Sequence, residues 1–144
     1  MNNCSFRLPH RIRFSECDPA GIVFYPKYFE MFNSLLEAWI DSLLDGGFAA
    51  YILDHRFGLP SVKLDVEFLF VSRMGDDVLL DLQVVKVGRS SLTLALSCIG
   101  NDDIVRVRAT QIVVATSLET HRSIPVPKAL RDALNVNGVF SEKE

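Results

Sequence analysis

Apolar residues recur with helical spacing over one long stretch near the start of the chain. Within residues 26–44 they fall three and four positions apart, at Tyr28, Phe29, Phe32, Leu35, Leu36, Trp39, Ile40, Leu43 and Leu44. This spacing predicts a single amphipathic α-helix about 28 Å long. An opposing polar stripe carries Lys27, Glu30, Ser34, Glu37 and Asp41. The Gly46-Gly47 pair then predicts where the helix ends, because glycine readily adopts the conformation that stops a helix.

Two-residue alternation, which is typical of β-strands, fills most of the remaining chain. Residues 61–71 place Val62, Leu64, Val66, Phe68 and Phe70 on one face and charged residues on the other. Further strands are predicted at residues 6–14, 76–87, 90–99 and 104–116. Turn-forming residues at 74–77, 88–90 and 100–103 separate the last four strands and indicate antiparallel hairpins. Residues 127–134 predict a short terminal helix, and the tail after Asn135 is expected to be loose.

These elements predict an α+β fold in which a five-stranded antiparallel sheet wraps around one long central helix. The 144 residues are expected to form a single domain over residues 1–144. A curled sheet leaves open edges, which chains commonly protect by pairing with a second copy. We therefore expect a homodimer or a homotetramer.

The amino-acid composition argues against nucleic acid and membranes as partners. A hydrophobic content of 49% with 23% charged residues is typical of a compact globular protein. The net charge of −3 gives no overall attraction to nucleic acid or to an anionic membrane, and we expect neither partner. The sequence has neither the apolar core of a signal peptide nor a membrane-spanning run.

The cysteines and histidines argue against disulfide bonds and against a metal site. Three cysteines are an odd number without paired spacing, which favours reduced thiols and a cytoplasmic location. His10, His55 and His121 are isolated from one another and from the cysteines, so no bound metal is expected.

Candidate chemistry is concentrated in residues 16–28. Asp18 lies in a Pro/Gly turn, and an apolar-aromatic run leads from that turn to Pro26, a residue suited to opening a helix. The first turn of a helix presents free backbone N–H groups at the positive end of the helix dipole. A carboxylate beside such donors can attack a carbonyl, or activate water against it, while the donors polarise the carbonyl oxygen. The segment therefore predicts an acyl-transfer site made of one side chain and backbone.

Residues 18–28, which read DPAGIVFYPKY, resemble the signature of the 4-hydroxybenzoyl-CoA thioesterase family. The order of strand, acidic loop, long helix and four strands also resembles the hotdog fold of that family. The resemblance implies an acyl-CoA thioesterase with sites between subunits and with no cofactor, since coenzyme A is part of the substrate. It implies that Asp18 is the catalytic nucleophile or general base and that the Tyr25 backbone N–H polarises the thioester carbonyl. Tyrosine followed by proline looks closer to the aromatic-acyl branch of the family.

Substrate contacts are also expected from the resemblance. Gly21, Phe24 and Tyr28 are assigned to substrate binding, although the two aromatic side chains fit an ordinary core role equally well. Asn33 could recognise an acyl substituent or make a solvent-side contact. Lys86, Arg89 and Ser90 could contact the phosphates of CoA or merely decorate a hairpin. Weaker basic candidates are Lys63, Arg122, Lys128 and Arg131.

Several alternatives stay open or are disfavoured. The acyl group could be aromatic, short and aliphatic, or carried on an acyl-carrier protein, and a non-catalytic acyl-CoA binder would use the same groove. A dehydratase is disfavoured because no histidine is near the acidic loop in the sequence. Cys17 is interpreted as a structural cysteine. Glu30 and Glu37 are interpreted as part of a solvated helix face.

Overall fold

The computed structural model describes residues 5–136, so most of the predicted loose tail lies outside the described residues. The elements are β1 Ser5–Arg11, a 3₁₀ turn Phe14–Glu16, α1 Lys27–Leu43, α2 Gly47–Ala49, a π turn Ala50–Asp54, β2 Phe57–Gly58, β3 Ser61–Phe68, β4 Asp77–Val87, β5 Ser91–Gly100, β6 Val105–Val114, β7 Thr116–Ser117 and α3 Lys128–Val136.

The predicted five-stranded antiparallel sheet is confirmed, with strand order β1-β4-β5-β6-β3. Alternate residues of its central strands are buried on the face that meets α1, and they include Leu80, Leu82, Leu92, Leu94 and Leu96. The predicted helix is also confirmed, because its apolar stripe is buried at Tyr28, Met31, Phe32, Leu35, Leu36, Trp39 and Ile40. The core therefore lies between one face of the sheet and one face of α1.

The two ends of α1 follow from local chemistry. Pro26, the residue before the first helical residue, already has helical backbone angles, with φ −64° and ψ −19°. At the other end Leu44 is extended and Gly46 has a φ of +79° in the left-handed region that favours glycine. The predicted stop at the glycine pair is thereby confirmed.

Two predicted strands are shorter than their hydrophobic patterns indicate. After β1 the chain turns at once, because the Glu16 and Cys17 amides donate to the carbonyls of Arg13 and Phe14. The prediction that the strand of residues 61–71 continues to Val71 is wrong. Ladder pairing ends at Phe68, since the amides of Leu69 and Phe70 both donate to the Arg106 carbonyl, at 2.8 and 3.1 Å.

Some short elements were not predicted. The pattern of residues 104–116 divides into β6 and β7, and β7 leaves the main sheet to pair with β2. Neither β2 nor β7 exceeds two residues, so neither has a periodicity that sequence reasoning could detect. The terminal helix α3 is confirmed near its predicted position.

The edge strand β3 is poorly covered by its own chain. Its predicted alternation is confirmed from Leu64 to Phe68, since Leu64, Val66 and Phe68 pair with inward-facing residues of β6. Val62 does not fit the prediction, because a bulge between Ser61 and Lys63 pairs Ser61 with the buried Val113 instead. However, among the strands of the main sheet α1 packs mainly on β1 and β4, and inward-facing apolar side chains of β3 remain exposed, with Leu64 39% and Phe68 49% accessible. The chain thus leaves an apolar surface between α1 and β3.

Candidate active site

Asp18 opens a turn that its own sequence specifies. Asp at the first position, proline at the second and glycine at the fourth are the residues favoured in a type I turn, and here they are Asp18, Pro19 and Gly21. The Gly21 amide donates to the Asp18 carbonyl at 2.9 Å, and the Ala20 amide donates to Asp18 Oδ1 at 2.8 Å. Within residues 5–136 the carboxylate has no other hydrogen bond, so Oδ2 is available to a substrate or to water.

The turn forms the tip of a small hairpin that is fixed to the segment before β4. Cys17 and Val23 pair across the hairpin, and the Asp18 amide donates to the Ile22 carbonyl at 2.9 Å. On its other side the Val23 amide donates to the Ser72 carbonyl, and the Met74 amide donates to the Gly21 carbonyl. Asp18 therefore sits on backbone anchored from both sides.

The start of α1 offers one free donor rather than several. The amides of Lys27, Tyr28 and Phe29 donate to the carbonyls three residues before them, at 2.8, 3.2 and 3.0 Å. The Phe24 amide donates to the Glu16 carbonyl at 2.9 Å, and Pro26 has no N–H. Among the described residues at this helix start, the Tyr25 N–H is the backbone donor left without an acceptor. The expectation of a cluster of free amides is corrected to a single one.

A cavity of about 210 Å³ lies beside that donor. Its lining is apolar and aromatic: Val23, Tyr25, Tyr28, Phe68, Leu69, Phe70 and Val71. The Phe68 ring meets those of Tyr25 and Tyr28 with centroids 5.9 and 6.1 Å apart. Burial raises the pKa of Tyr28, so its hydroxyl stays protonated at neutral pH. Phe24, 49% exposed, stacks edge-on against Tyr25 and does not line the cavity.

A histidine–glutamate pair behind the hairpin escaped sequence reasoning. His10 Nε2 lies 3.0 Å from both carboxylate oxygens of Glu16, and the Arg13 amide donates to Glu16 Oε1 at 2.8 Å. Because the Glu16 carbonyl accepts the Phe24 amide, Glu16 connects β1, the acidic hairpin and the approach to Tyr25. The statement that no histidine is near the acidic loop holds for the sequence but not for the fold.

Cys17 has the environment of an unreactive thiol. Partial burial, followed by the negative charges of Glu16 and Asp18, raises the pKa of Cys17. Its Sγ lies 3.4 Å from the Arg13 carbonyl, which it contacts as a donor. The thiol is therefore protonated at neutral pH, in agreement with its interpretation as a structural cysteine.

The structure does not bring the three predicted CoA contacts to Asp18 within one chain. Lys86, Arg89 and Ser90 lie where β4 ends and β5 begins, whereas the acidic hairpin lies beside the start of β4. The eleven residues of Asp77–Val87 separate the two ends by about 30 Å. The carbonyls of Arg89 and Ser90 accept the amides of Val126 and Ala115. Arg73, exposed and paired with Ile22, is a basic residue that the fold places beside the hairpin.

The remaining candidates lie on surfaces. Asn33 is exposed on α1, as are Glu30 and Glu37 of the charged stripe. Lys63 is 4.0 Å from Asp65, Lys128 is 2.7 Å from Asp132, and Arg131 donates to the Gly88 carbonyl at 2.7 Å. Across residues 5–136, no three His, Cys, Asp or Glu side chains are grouped to hold a metal ion. No helix in that part of the chain is long and apolar enough to cross a membrane.

Several solved structures are similar to this chain. The 1,4-dihydroxy-2-naphthoyl-CoA thioesterase from Synechocystis has a TM-score of 0.82 at 20% identity, over 91% of this chain and 96% of that chain. The 4-hydroxybenzoyl-CoA thioesterase from Pseudomonas sp. strain CBS-3 has a TM-score of 0.78 at 23% identity, over 90% and 98%. A Staphylococcus aureus protein in complex with CoA has a TM-score of 0.86 at 14% identity, over 95% and 85%. These likenesses confirm the predicted hotdog fold.

The sequence comparison gives the family. No match was found among the curated proteins. Residues 12–134, which include the acidic hairpin, the whole of α1 and the main sheet from β3 onward, match the family model of the thioesterase-like superfamily. The chain therefore belongs to the thioesterase-like superfamily, and the prediction that it is a thioester-hydrolysing enzyme is confirmed.

Proposed function

We propose that this enzyme hydrolyses an aromatic acyl-CoA of the 4-hydroxybenzoyl kind to the free acid and coenzyme A. The observation that carries the proposal is the presence of two groups within eight residues: the Asp18 carboxylate, with a free Oδ2, at the tip of the hairpin, and the unpaired Tyr25 N–H, beside an aromatic cavity at the start of α1. The cavity at the helix start has an apolar and aromatic lining that suits the part of an acyl group nearest its carbonyl. Structural relatives that act on 1,4-dihydroxy-2-naphthoyl-CoA and 4-hydroxybenzoyl-CoA support an aromatic substrate.

The reaction can follow either of two routes with the same groups. In one, an Asp18 oxygen attacks the thioester carbon, the C–S bond breaks, and CoA leaves as a thiolate; water then hydrolyses the mixed anhydride. In the other, Asp18 takes a proton from water as that water attacks the thioester carbon, and the C–S bond then breaks so that CoA leaves as a thiolate and the free acid is formed directly. In both, the Tyr25 N–H donates to the developing oxyanion. Each route consumes one water and requires no metal or redox cofactor.

We propose that the working enzyme is a homodimer or homotetramer in which a second copy completes the CoA site. Lys86, Arg89 and Ser90 lie about 30 Å from the acidic hairpin of their own chain, so they can meet the CoA of that hairpin only from another copy. The exposed apolar side chains of the β3 edge supply a surface for such pairing. We also propose a cytoplasmic location, in keeping with the free thiols of Cys17 and Cys98.

The test is free-thiol release from a panel of thioesters. The panel contains 4-hydroxybenzoyl-, benzoyl-, phenylacetyl-, butyryl- and long-chain acyl-CoA. We expect the highest kcat/KM with the aromatic acyl groups. A preference for butyryl-CoA would contradict the aromatic assignment while leaving the reaction in place. Binding of CoA without hydrolysis of any member would favour a carrier-protein thioester, and inactivity on that substrate as well would favour a non-catalytic binder.

A further inference from the structure

A second cavity of about 330 Å³, the α1–β3 groove, opens between the helix and the edge strand. Its lining combines apolar side chains with a few polar ones: Phe29, Glu30, Phe32, Asn33, Ser61, Leu64, Leu96 and Gln111. The groove exists because α1 packs over β1 and β4 and leaves the inward face of β3 uncovered. Such a mainly apolar groove with a few convergent polar groups is typical of a small-molecule site.

The groove is adjacent to the cavity beside Tyr25. The ring of Phe68, which lines that cavity, meets the ring of Phe29, which lines the groove, with centroids 6.4 Å apart, so the contact of these two rings marks the boundary between the cavity and the groove. Phe29 lies one helical turn beyond Tyr25, a distance of about 6 Å along the axis. A benzoyl group whose carbonyl meets the Tyr25 N–H is long enough to reach this boundary.

Gln111 places an unpaired polar atom in the groove. Its Oε1 is buried and has no hydrogen-bond partner among the described residues. Gln111 lies on β6 opposite Leu64 of β3 and Leu94 of β5, so its two cross-strand neighbours offer its side chain no hydrogen bond. A buried carbonyl oxygen left without a partner destabilises a protein, and native structures rarely keep one without a reason. A ligand that brings a hydrogen-bonding group into the groove would satisfy it.

We propose that Gln111 is a specificity residue that hydrogen-bonds a ring hydroxyl of the acyl group. This inference rests on the proposed function. An aromatic ring would pack against Phe29, Phe32 and Leu96, and its hydroxyl would donate to Gln111 Oε1. Asn33, on the α1 side of the same groove, is positioned to accept or donate at the same substituent. An acyl group without the hydroxyl leaves the Gln111 amide unpaired and is disfavoured for that reason.

The experiment compares kcat/KM for 4-hydroxybenzoyl-CoA and benzoyl-CoA in the wild type, in Gln111→Met and in a control, Gln83→Met. Gln83 is an exposed glutamine of β4 and contacts neither cavity. We expect the wild type to prefer the hydroxylated substrate by about 5- to 150-fold, the effect of leaving a buried polar group unpaired. Gln111→Met should reduce this ratio to near one, and Gln83→Met should leave it unchanged.

Failure of the Gln111 inference and failure of the proposed function give different results in this experiment. A substrate ratio equal in wild type and Gln111→Met would overturn this inference while thioester hydrolysis stands. A wild type inactive on every acyl-CoA would overturn the proposed function together with this inference. Sedimentation of both variants shows whether Gln111→Met instead disrupts pairing of two copies, which would also overturn the inference. Should Gln111→Met not fold, Gln111→Leu, which also lacks the acceptor, is measured instead, and an unchanged ratio in that variant overturns the inference.

Discussion

Asp18 and the three residues after it show how far a single position can be derived from sequence. Each residue type matches its place in a type I turn, so the location and the fold of the catalytic candidate follow from local chemistry alone. The number of free donors at the start of α1 did not follow. That number depends on the amides of Lys27, Tyr28 and Phe29 closing short-range bonds, which the residue types do not specify.

Gly21 provides a prediction at the residue scale. Its φ of +80° lies in the left-handed region, and an added Cβ would meet no atom within 4 Å, so substitution introduces backbone strain without a clash. Gly21→Ala should lower the free energy of unfolding by about 1–2 kcal/mol, with a smaller loss for Gly21→Asn. Urea denaturation measures both. Equal stability of Gly21→Ala and wild type would contradict the strained turn.

Local patterns predicted the elements better than they predicted the links between them. The 3.6-residue period predicted which residues of α1 are buried, and alternation predicted which side chains of β3 point inward from Leu64 to Phe68. The end of β3 at Phe68 depends instead on a carbonyl of β6, that of Arg106. The contacts of His10 with Glu16 join a strand to the hairpin beyond a tight turn. No periodicity signals either interaction.

The His10–Glu16 pair yields a prediction about the placement of the hairpin. His10→Ala removes one of the two donors to the Glu16 carboxylate and leaves the Arg13 amide as the other, which loosens the backbone that carries Asp18. We expect kcat to fall by about ten- to a hundredfold with little change in KM, because misplacement of a reacting group acts on the chemical step.

His10→Gln, which keeps a side-chain donor, should recover most of the lost kcat. His55→Ala is the control, since the exposed His55 stacks its ring on Phe57, with centroids 5.7 Å apart, away from the hairpin. Steady-state kinetics on the three variants decides the matter. A His10→Ala enzyme with wild-type kcat would exclude a positioning role.

At the scale of the whole molecule, the sequence predicted which β3 residues are apolar but not that they remain exposed. Exposure of Leu64 and Phe68 results from α1 lying over the other edge of the sheet, and Val62 in the neighbouring bulge is exposed as well. We expect wild-type protein to sediment as a dimer or tetramer and Val62→Lys to shift toward monomer, with loss of turnover. Leu53→Lys, a charge at a 68% exposed position in the π turn, is the control. A monomeric, fully active wild type would contradict this account of the edge.

Two buried acidic groups, the Cys98 thiol and the Tyr51 hydroxyl, make the stability of the fold depend on pH. Burial raises the pKa of Cys98 from 9.0 and that of Tyr51 from 10.0, each to about 12. The unfolded chain therefore loses these protons at lower pH than the native protein does. The stabilisation is fully present below pH 9.0 and is lost as the pH rises towards 12, because the unfolded state then binds fewer protons.

Urea denaturation between pH 8 and 11 measures this dependence. The free energy of unfolding should decline above about pH 9. Cys98→Ala should be less stable at neutral pH, since it leaves a small cavity, but its decline with pH should be shallower. A decline of the same slope in wild type and variant would show that Cys98 makes no contribution.

The most direct test of the central claim is thiol release from 4-hydroxybenzoyl-CoA by wild type, Asp18→Asn and Asp54→Asn, with CoA binding measured by calorimetry. Asp54 is an exposed aspartate of the π turn, so its substitution controls for the loss of one charge. We predict that Asp18→Asn loses about 10²- to 10⁴-fold or more in kcat while its fold and CoA affinity are retained. Turnover in Asp18→Asn close to that of wild type would contradict the assignment of Asp18 as the catalytic carboxylate.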